Sequence, residues 1–407
     1  MATAVVTTAP ASAHQSVYYG LTVLDPVTKT RKPDSYIIVD GNKIVAIGRG
    51  KPPESIPAAR RHGFSGRFAL PSLFDTHAHI TLGPVVGKMV DGKPVLPVLG
   101  DDAYSRHDAK RLLAHRVTTI RDPGGDARRM VAYRDAVAAE RITGPEARVA
   151  GQVINHSEVR FEDLVDQVSD STPIAPIVER QVRDGVDYVK LYESLTPADL
   201  AAGVAAAHKH KRPTIAHLGD VSWVTAVNLG VDALVHAMPI SPDLLPPAYR
   251  AQYLASRRPG AFAFFEWFEA ADLDAPAVKQ MVATLAAKEV WLDTTMIAFK
   301  LAFWGDDLAY RERDAAIAHP AMVDNWRTWF RFDMGWTADG YRRARASRPW
   351  FCPWTLARRW RRGGVMRPPS RSSARQGDRR PPSRGTPDRA RLSAADPSPN
   401  THRSRRR

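Results

Sequence analysis

The segment Asp75-Thr76-His77-Ala78-His79 carries two histidines at a spacing suited to metal chemistry. It ends an apolar run, Phe68-Ala69-Leu70-Pro71-Ser72-Leu73-Phe74, bounded by Gly66 and Gly83-Pro84, which reads as a buried strand. Residues two apart on a strand project from the same side. His77 and His79 would therefore present two imidazoles to one ion from a rigid element. A His-x-His pair alone more often marks surface or hydrogen-bonded histidines, so its meaning depends on what accompanies it. Four further polar residues stand at or near the ends of other apolar runs. Asp122 follows Val117-Thr118-Thr119-Ile120-Arg121, and Lys190 lies in Asp187-Tyr188-Val189-Lys190-Leu191-Tyr192. His217 ends Pro213-Thr214-Ile215-Ala216-His217, and His236 ends Val231-Asp232-Ala233-Leu234-Val235-His236. Histidines from three strands, arriving at one mouth, make a divalent metal site. Lys190 is out of place beside a cation unless its ammonium charge is removed.

The elements that must position these residues follow from the periodicity. Residues 18–48 alternate apolar and polar in short runs, with Asp40-Gly41-Asn42 as a hairpin turn, and read as a small β unit. A proline-rich connection from Pro52-Pro53 to Pro57 ends it. From Phe68 onward short apolar strands alternate with helical segments. The expected strands are 68–80, 117–121, 148–154, 188–192, 213–217, 233–236 and 290–294. Helices are expected at 126–140, 176–184, 198–210 and 275–288. This alternation predicts an α/β fold with a parallel sheet, a TIM-like barrel first and an open doubly wound sheet second. No Gly-x-Gly-x-x-Gly follows an early strand, which weighs against the open sheet. Seven strands are visible where a barrel needs eight. The segment 302–341, rich in tryptophan and charge, reads as helix and loop that packs rather than as a ligand box.

The chain has 407 residues and a formal net charge of +15, but the charge is not spread evenly. Residues 341–407 hold 20 arginines, no lysine and three acidic residues, so the rest of the chain is close to neutral. Any nucleic-acid reading must rest on that tail. No aromatic residue follows Trp360, so the stacking surface used by single-strand binders is missing there, and nucleic acid is not the expected partner. From residue 342 the composition becomes Arg, Pro, Ser, Ala and Gly without hydrophobic period, which predicts disorder. Arginine-rich, lysine-free text of this kind is also what a GC-rich coding region gives out of frame, and a frameshift near 342–365 is expected. No apolar stretch approaches the ~20 residues of a membrane helix. The N-terminus lacks a basic region and an apolar core, which argues against a secretory signal. The single cysteine, Cys352, excludes an internal disulfide. Together these point to a cytoplasmic protein.

In order and wording the segments resemble the amidohydrolase superfamily, in its imidazolonepropionase-like and prolidase-like branch. Residues 66–79 look like that family's first barrel strand with its histidine pair, and residues 118–122 look like its second strand. Lys190 matches the family lysine that CO₂ carboxylates, and His217 and His236 match the single histidines of strands five and six. The β unit at 18–48 looks like the N-terminal part of the β-sandwich flanking these barrels. The resemblance implies zinc, one or two divalent ions, held by His77, His79, carboxylated Lys190, His217 and His236. A carbamate is anionic and bridges two cations, which hold a hydroxide as nucleophile. It implies hydrolysis of an amide-like C–N bond in a small molecule, a cyclic amide or dipeptide. It also divides the chain into a sandwich segment (1–67), an incomplete barrel (68–341) and a tail (342–407). Ser72 stands where the family has glycine. The family's strand-eight aspartate, in a Gly-Thr-Asp type motif, has no counterpart after residue 300, so the catalytic carboxylate is unknown and an impaired, truncated relative is the alternative. Asp293, on the seventh strand, is a poor substitute by placement.

Other residues carry weaker readings. His156, in Asn155-His156-Ser157 after the third strand, would touch substrate or be an ordinary loop histidine. Tyr192 would line the pocket or simply pack. His208 and His210 read as solvated residues favourable to a helix C-terminus.

Overall fold

The computed structural model describes residues 14–346, apart from 87, 92, 157–162, 170, 238, 257–263, 273 and 329–335. The N-terminal β unit forms as expected. Strands β1 (Gln15–Asp25), β2 (Thr30–Asp40) and β3 (Lys43–Arg49) are antiparallel neighbours. The hairpin pairs Asp40 with Lys43, and Gly41 takes the left-handed φ of 59° that the turn requires. β4 (Arg61–Gly63) and β5 (Phe68–Ala69) both run parallel to β1. Val17, Ile38 and Ile56 form a small core here. Among the described residues this is one five-stranded sheet, where a sandwich needs two.

The expected strand at 68–80 is not one element. Leu70-Pro71-Ser72 separates β5, which joins the N-terminal sheet, from β6 (Leu73–Asp75), and proline cannot donate to a ladder. Nor is the run buried: Leu70, Leu73 and Phe74 are all half-exposed or more. A short antiparallel hairpin follows, β7 (Lys88–Val90) with β8 (Lys93–Val95).

The remaining strands are parallel. β6 pairs with β9 (Val117–Asp122), which pairs with β10 (Glu146–Val149). A second sheet has six strands in the order β12 (Val165–Gln167), β11 (Val153–Asn155), β13 (Val189–Leu191), β14 (Thr214–Ala216), β15 (Ala233–Val235) and β16 (Trp291–Asp293). The third expected strand is thus split into β10 and β11. Backbone bonds still carry it across, from Ala150 N to Asp122 O and from Asp187 N to Val149 O.

Helices cover the sheet between strands: Ala127–Ala138, Ile174–Asp184, Pro197–Lys209, Trp223–Asn228 and Pro276–Ala287. Their starts are chemically marked. Asp126 and Ser222 cap theirs, and Thr196 with Asp199 forms a capping box. Gly185 ends Ile174–Asp184 at φ 97°. Ile154, Leu191, Leu200, Leu234, Trp267 and Leu285 lie in the main core. Trp304 and Trp336 pack against its rim, in keeping with a packing role.

The fold is open between β6 and β16. Among the described residues, β6 and β16 each pair on one side only and not with each other. Phe74 and Trp291, on these two edges, are about two-thirds exposed (68% and 66%). Beside Trp291 a cavity of about 840 Å³ is lined by Arg121, Tyr188, Ile215, Ala233 and Trp291 itself. A closed barrel fills such space with layers of side chains. The helix Ala338–Ala346, with Tyr341 and Ala344 buried, runs past residue 342, where the sequence predicts the tail to begin. The rest of the expected tail, with Cys352, lies outside the described residues.

Candidate active site

His77 and His79 follow the end of β6. Ala78 N donates to Arg121 O, which keeps this stretch beside β9. His217 and His236 follow the ends of β14 and β15, and Lys190 is the middle residue of β13. The five residues come together. The rings of His77 and His79 have centroids 5.3 Å apart, His77 and His236 5.1 Å, and His217 and His236 4.4 Å. Tyr192 packs edge-on against His217 at 4.6 Å, and Lys190 Nζ lies 5.9 Å from the Tyr192 ring. Tyr192 is thus part of the wall. Burial raises its phenol above the ordinary range, so it stays protonated.

Each histidine is held differently. His79 Nδ1 lies 2.9 Å from Gly124 O. A carbonyl only accepts, so Nδ1 carries a proton, and Nε2 is the ring nitrogen left to face a metal. Asp122, fully buried, shapes this turn by accepting from Ile80 N, Thr81 Oγ1 and Gly124 N. His236 Nδ1 is hydrogen-bonded with Thr295 Oγ1. Both residues sit in the left-handed region, His236 at φ 62° and Thr295 at φ 44°. For a β-branched residue this is rare, and such strain, about 1–3 kcal/mol per residue, persists where the surroundings over-determine it.

The electrostatics are those of a dry pocket. Burial, followed by the charge of Lys190, lowers His217 to about 3. Burial likewise lowers His77 to about 4, against the opposing pull of Asp293. Burial and the neighbouring His217 hold His236 well below its ordinary value. All three are neutral imidazoles at pH 7. Lys190 is 2% exposed, and burial with the Arg121 charge lowers its ammonium to about 7.

Asp293, a poor substitute by its place in sequence, is in this cluster. Its Oδ2 lies 3.5 Å from His77 Nδ1 and 2.8 Å from Arg121 Nη2. The first distance is an ion-pair approach and longer than a good hydrogen bond. Burial pushes Asp293 up, but His77 and Arg121 outweigh it and hold the carboxyl at about 2. Since His77 is neutral at pH 7, Arg121 is the group that sustains the carboxylate there. Asp293 follows the same sequence rule as His217 and His236, a polar residue closing an apolar strand. Arg121, next to last on β9, obeys it too.

His156 goes elsewhere. Its Nε2 is 3.0 Å from Asp199 Oδ2, at the cap of Pro197–Lys209. Its described partner is not a member of the imidazole cluster. His208 is not merely solvated: its Nε2 lies 2.9 Å from Asp232 Oδ2, which also accepts from Thr214 N.

As they stand, no three or more His, Cys, Asp or Glu side chains among the described residues have the geometry to hold a metal ion. The fit to a metal rests instead on donor chemistry and on unsatisfied atoms. His217 Nδ1 and Lys190 Nζ are buried without a hydrogen-bond partner, and His77 Nδ1 has only the 3.5 Å approach of Asp293. Such atoms are rare in native proteins and call for an explanation. Neutral imidazoles with an amine that is half-neutral at pH 7 suit a borderline cation such as Zn²⁺.

Comparison with known proteins bears on the fold. No family model matches the chain. Solved structures do. A bottromycin amidohydrolase aligns with a TM-score of 0.58 at 18% identity, over 87% of this chain and 68% of its own. A Xaa-Pro dipeptidase with bound methionine in the active site aligns with a TM-score of 0.51 at 15% identity, over 82% and 77%. The chain has the fold of the amidohydrolases. The resemblance read from its sequence to that superfamily therefore holds at the level of structure. In sequence, an imidazolonepropionase from Streptococcus sanguinis (strain SK36) is 30% identical over 117 residues, 23% of this chain. The chain spans only 28% of the length of that curated relative.

Proposed function

We propose that this chain is a metal-dependent amidohydrolase whose site, His77, His79, Lys190, His217 and His236, takes one or two divalent ions, zinc by donor type. The observation that carries this reading is Lys190 Nζ, fully buried, without a hydrogen-bond partner, and close enough to act on His77, His217 and His236. A structural lysine would be paired or would reach solvent. Bound there, a divalent ion supplies Lewis-acid polarisation of a scissile carbonyl and lowers the pKa of water towards ~7.

The chain's own residues do the rest. With its pKa at about 7, half of Lys190 is free amine at neutral pH, against roughly one part in three thousand for an ordinary lysine. The amine lone pair attacks CO₂, an N–C bond forms as one C–O π bond breaks onto oxygen, and the nitrogen gives its proton to water, leaving an anionic carbamate. His79, with its proton fixed on Nδ1, offers Nε2. Tyr192 walls the pocket. The surrounding fold is a TIM-like barrel, unpaired between β6 and β16 among the described residues, preceded by the N-terminal part of a β-sandwich. The substrate is a small molecule with an amide-like C–N bond, a cyclic amide or a dipeptide, and the imidazolonepropionase and dipeptidase likenesses support those two classes. Among the described residues no helix is long and apolar enough to cross a membrane, and a cytoplasmic enzyme fits that.

A second reading is favoured by the open edges of β6 and β16: a chain that keeps the site but turns over poorly. The carboxylate expected of an eighth strand has no counterpart among the described residues. Losing a general acid/base typically costs ~10²–10⁴-fold. The experiment is turnover of Xaa-Pro dipeptides and imidazolonepropionate by the full chain loaded with Zn²⁺ or Mn²⁺ and bicarbonate. Slow hydrolysis, abolished by a chelator and by His217→Ala, is expected. No metal uptake and no turnover overturns the first reading. A kcat of ~10 s⁻¹, typical of efficient enzymes, overturns the second.

A further inference from the structure

We propose that Asp293 is the positioning carboxylate of this site, orienting His77 through Nδ1, and that Arg121 bolts it in place across the open seam between β6 and β16. The proposal rests on the metal-site reading above and extends it to two residues that reading does not use.

The seam poses a mechanical problem. His77 follows β6 and His236 follows β15, beside β16, yet among the described residues no strand pairing joins β6 to β16. A multi-ligand site needs its donors held within a fraction of an ångström. Arg121 spans the gap from β9. Its Nε donates to Thr76 O at 2.9 Å, the backbone just before His77, and its Nη2 donates to Asp293 Oδ2 at 2.8 Å. One planar guanidinium thus fastens the end of one sheet edge to the end of the other, with a fork geometry that lysine lacks.

Asp293 then distributes that anchor. Its Oδ2 faces His77 Nδ1 at 3.5 Å, and its Oδ1 accepts from Thr295 N at 3.3 Å. Thr295 in turn is hydrogen-bonded to His236 Nδ1. Asp293 therefore stands next to one imidazole and one residue away from another. Its side chain is 7% exposed, so water does not readily take its place. A carboxylate on one ring nitrogen fixes the tautomer, frees the other nitrogen and raises its basicity, and such partners are worth ~10–100-fold in metal affinity. Asp293 is not itself offered as a ligand, because Arg121 occupies the same oxygen that faces His77.

The test uses the ¹⁵N-labelled full chain. Long-range ¹H–¹⁵N spectra of the metal-free protein read the His77 tautomer, with His77→Gln for assignment, and optical titration with Co²⁺ alone reads affinity. A single Nδ1–H tautomer is expected in the wild type. In Asp293→Leu the tautomer becomes mixed and Co²⁺ affinity falls by ~10–100-fold. If Asp293→Leu does not fold, Asp293→Asn decides: it keeps the shape, but its amide turns N–H or oxygen to either neighbour, so the tautomer again becomes mixed. Arg121→Gln should act in the same direction more weakly. An unchanged His77 tautomer in a folded Asp293 variant overturns the proposal, whatever the affinity. Absence of Co²⁺ binding by the wild type overturns the metal reading instead, and leaves Asp293 to be judged by the tautomer.

Discussion

Replacing Lys190 by methionine should stabilise the metal-free protein, and by an amount that depends on pH in a defined way. The ammonium is lowered from 10.5 to about 7 by burial and by Arg121. In the unfolded chain it regains an ordinary value. A depressed folded-state pKa means that stability is complete above the unfolded value and is lost as pH falls through the interval. The loss is finished below about 7. At ~1.4 kcal/mol per pH unit, burying Lys190 costs about 5 kcal/mol at pH 6 and about 2 kcal/mol at pH 9. Methionine fills a similar unbranched volume without a charge to desolvate, and Nζ has no hydrogen bond to lose. Lys190→Met should therefore gain several kcal/mol at pH 6 and distinctly less at pH 9, measured by urea unfolding with chelator present. Zn²⁺ with bicarbonate should oppose this, raising the Tm of the wild type by more than that of the variant, which keeps the imidazoles but has no amine to carboxylate. A variant less stable than the wild type at pH 6, or a gain that is the same at both pH values, would refute the reasoning.

Two further predictions follow from the same pocket. Burial lowers His77 to about 4 and His217 to about 3, so both take up protons on unfolding below about 6.5. The histidines' contribution to the stability of the metal-free chain should be full above that pH and fall by about 2 kcal/mol per histidine at pH 5, and His217→Gln should flatten the urea-midpoint profile below about pH 6.5; an unchanged slope there contradicts this. Asp122→Ala strands three donors, Ile80 N, Thr81 Oγ1 and Gly124 N, inside the fold. At ~1–3 kcal/mol for each unsatisfied group the loss should be about 3 kcal/mol or more by thermal unfolding, and a loss under 1 kcal/mol would show that water reaches this turn.

Much of the architecture was legible because it is local. The strand–helix alternation, the Asp40-Gly41-Asn42 turn and the capping residues Asp126, Thr196 and Ser222 depend on neighbours a few residues away. So was the placement of His217 and His236, since a polar residue closing an apolar strand must stand at its end. What failed was the reading of 68–80 as one buried strand. Burial is set by what lies alongside, and among the described residues β6 has a partner on one side only.

The sequence alone determined which residues could do chemistry and in what order the strands present them. It could not rank Asp293, which is 216 residues from His77 in the chain but 3.5 Å from it in space. It could not show that Arg121 reaches past its own strand to Thr76 and Asp293, or that His156 turns to Asp199 instead of the cluster. Those choices belong to the tertiary structure, because they depend on distances and on the loss of water around buried charge, and neither has a local signature in the chain.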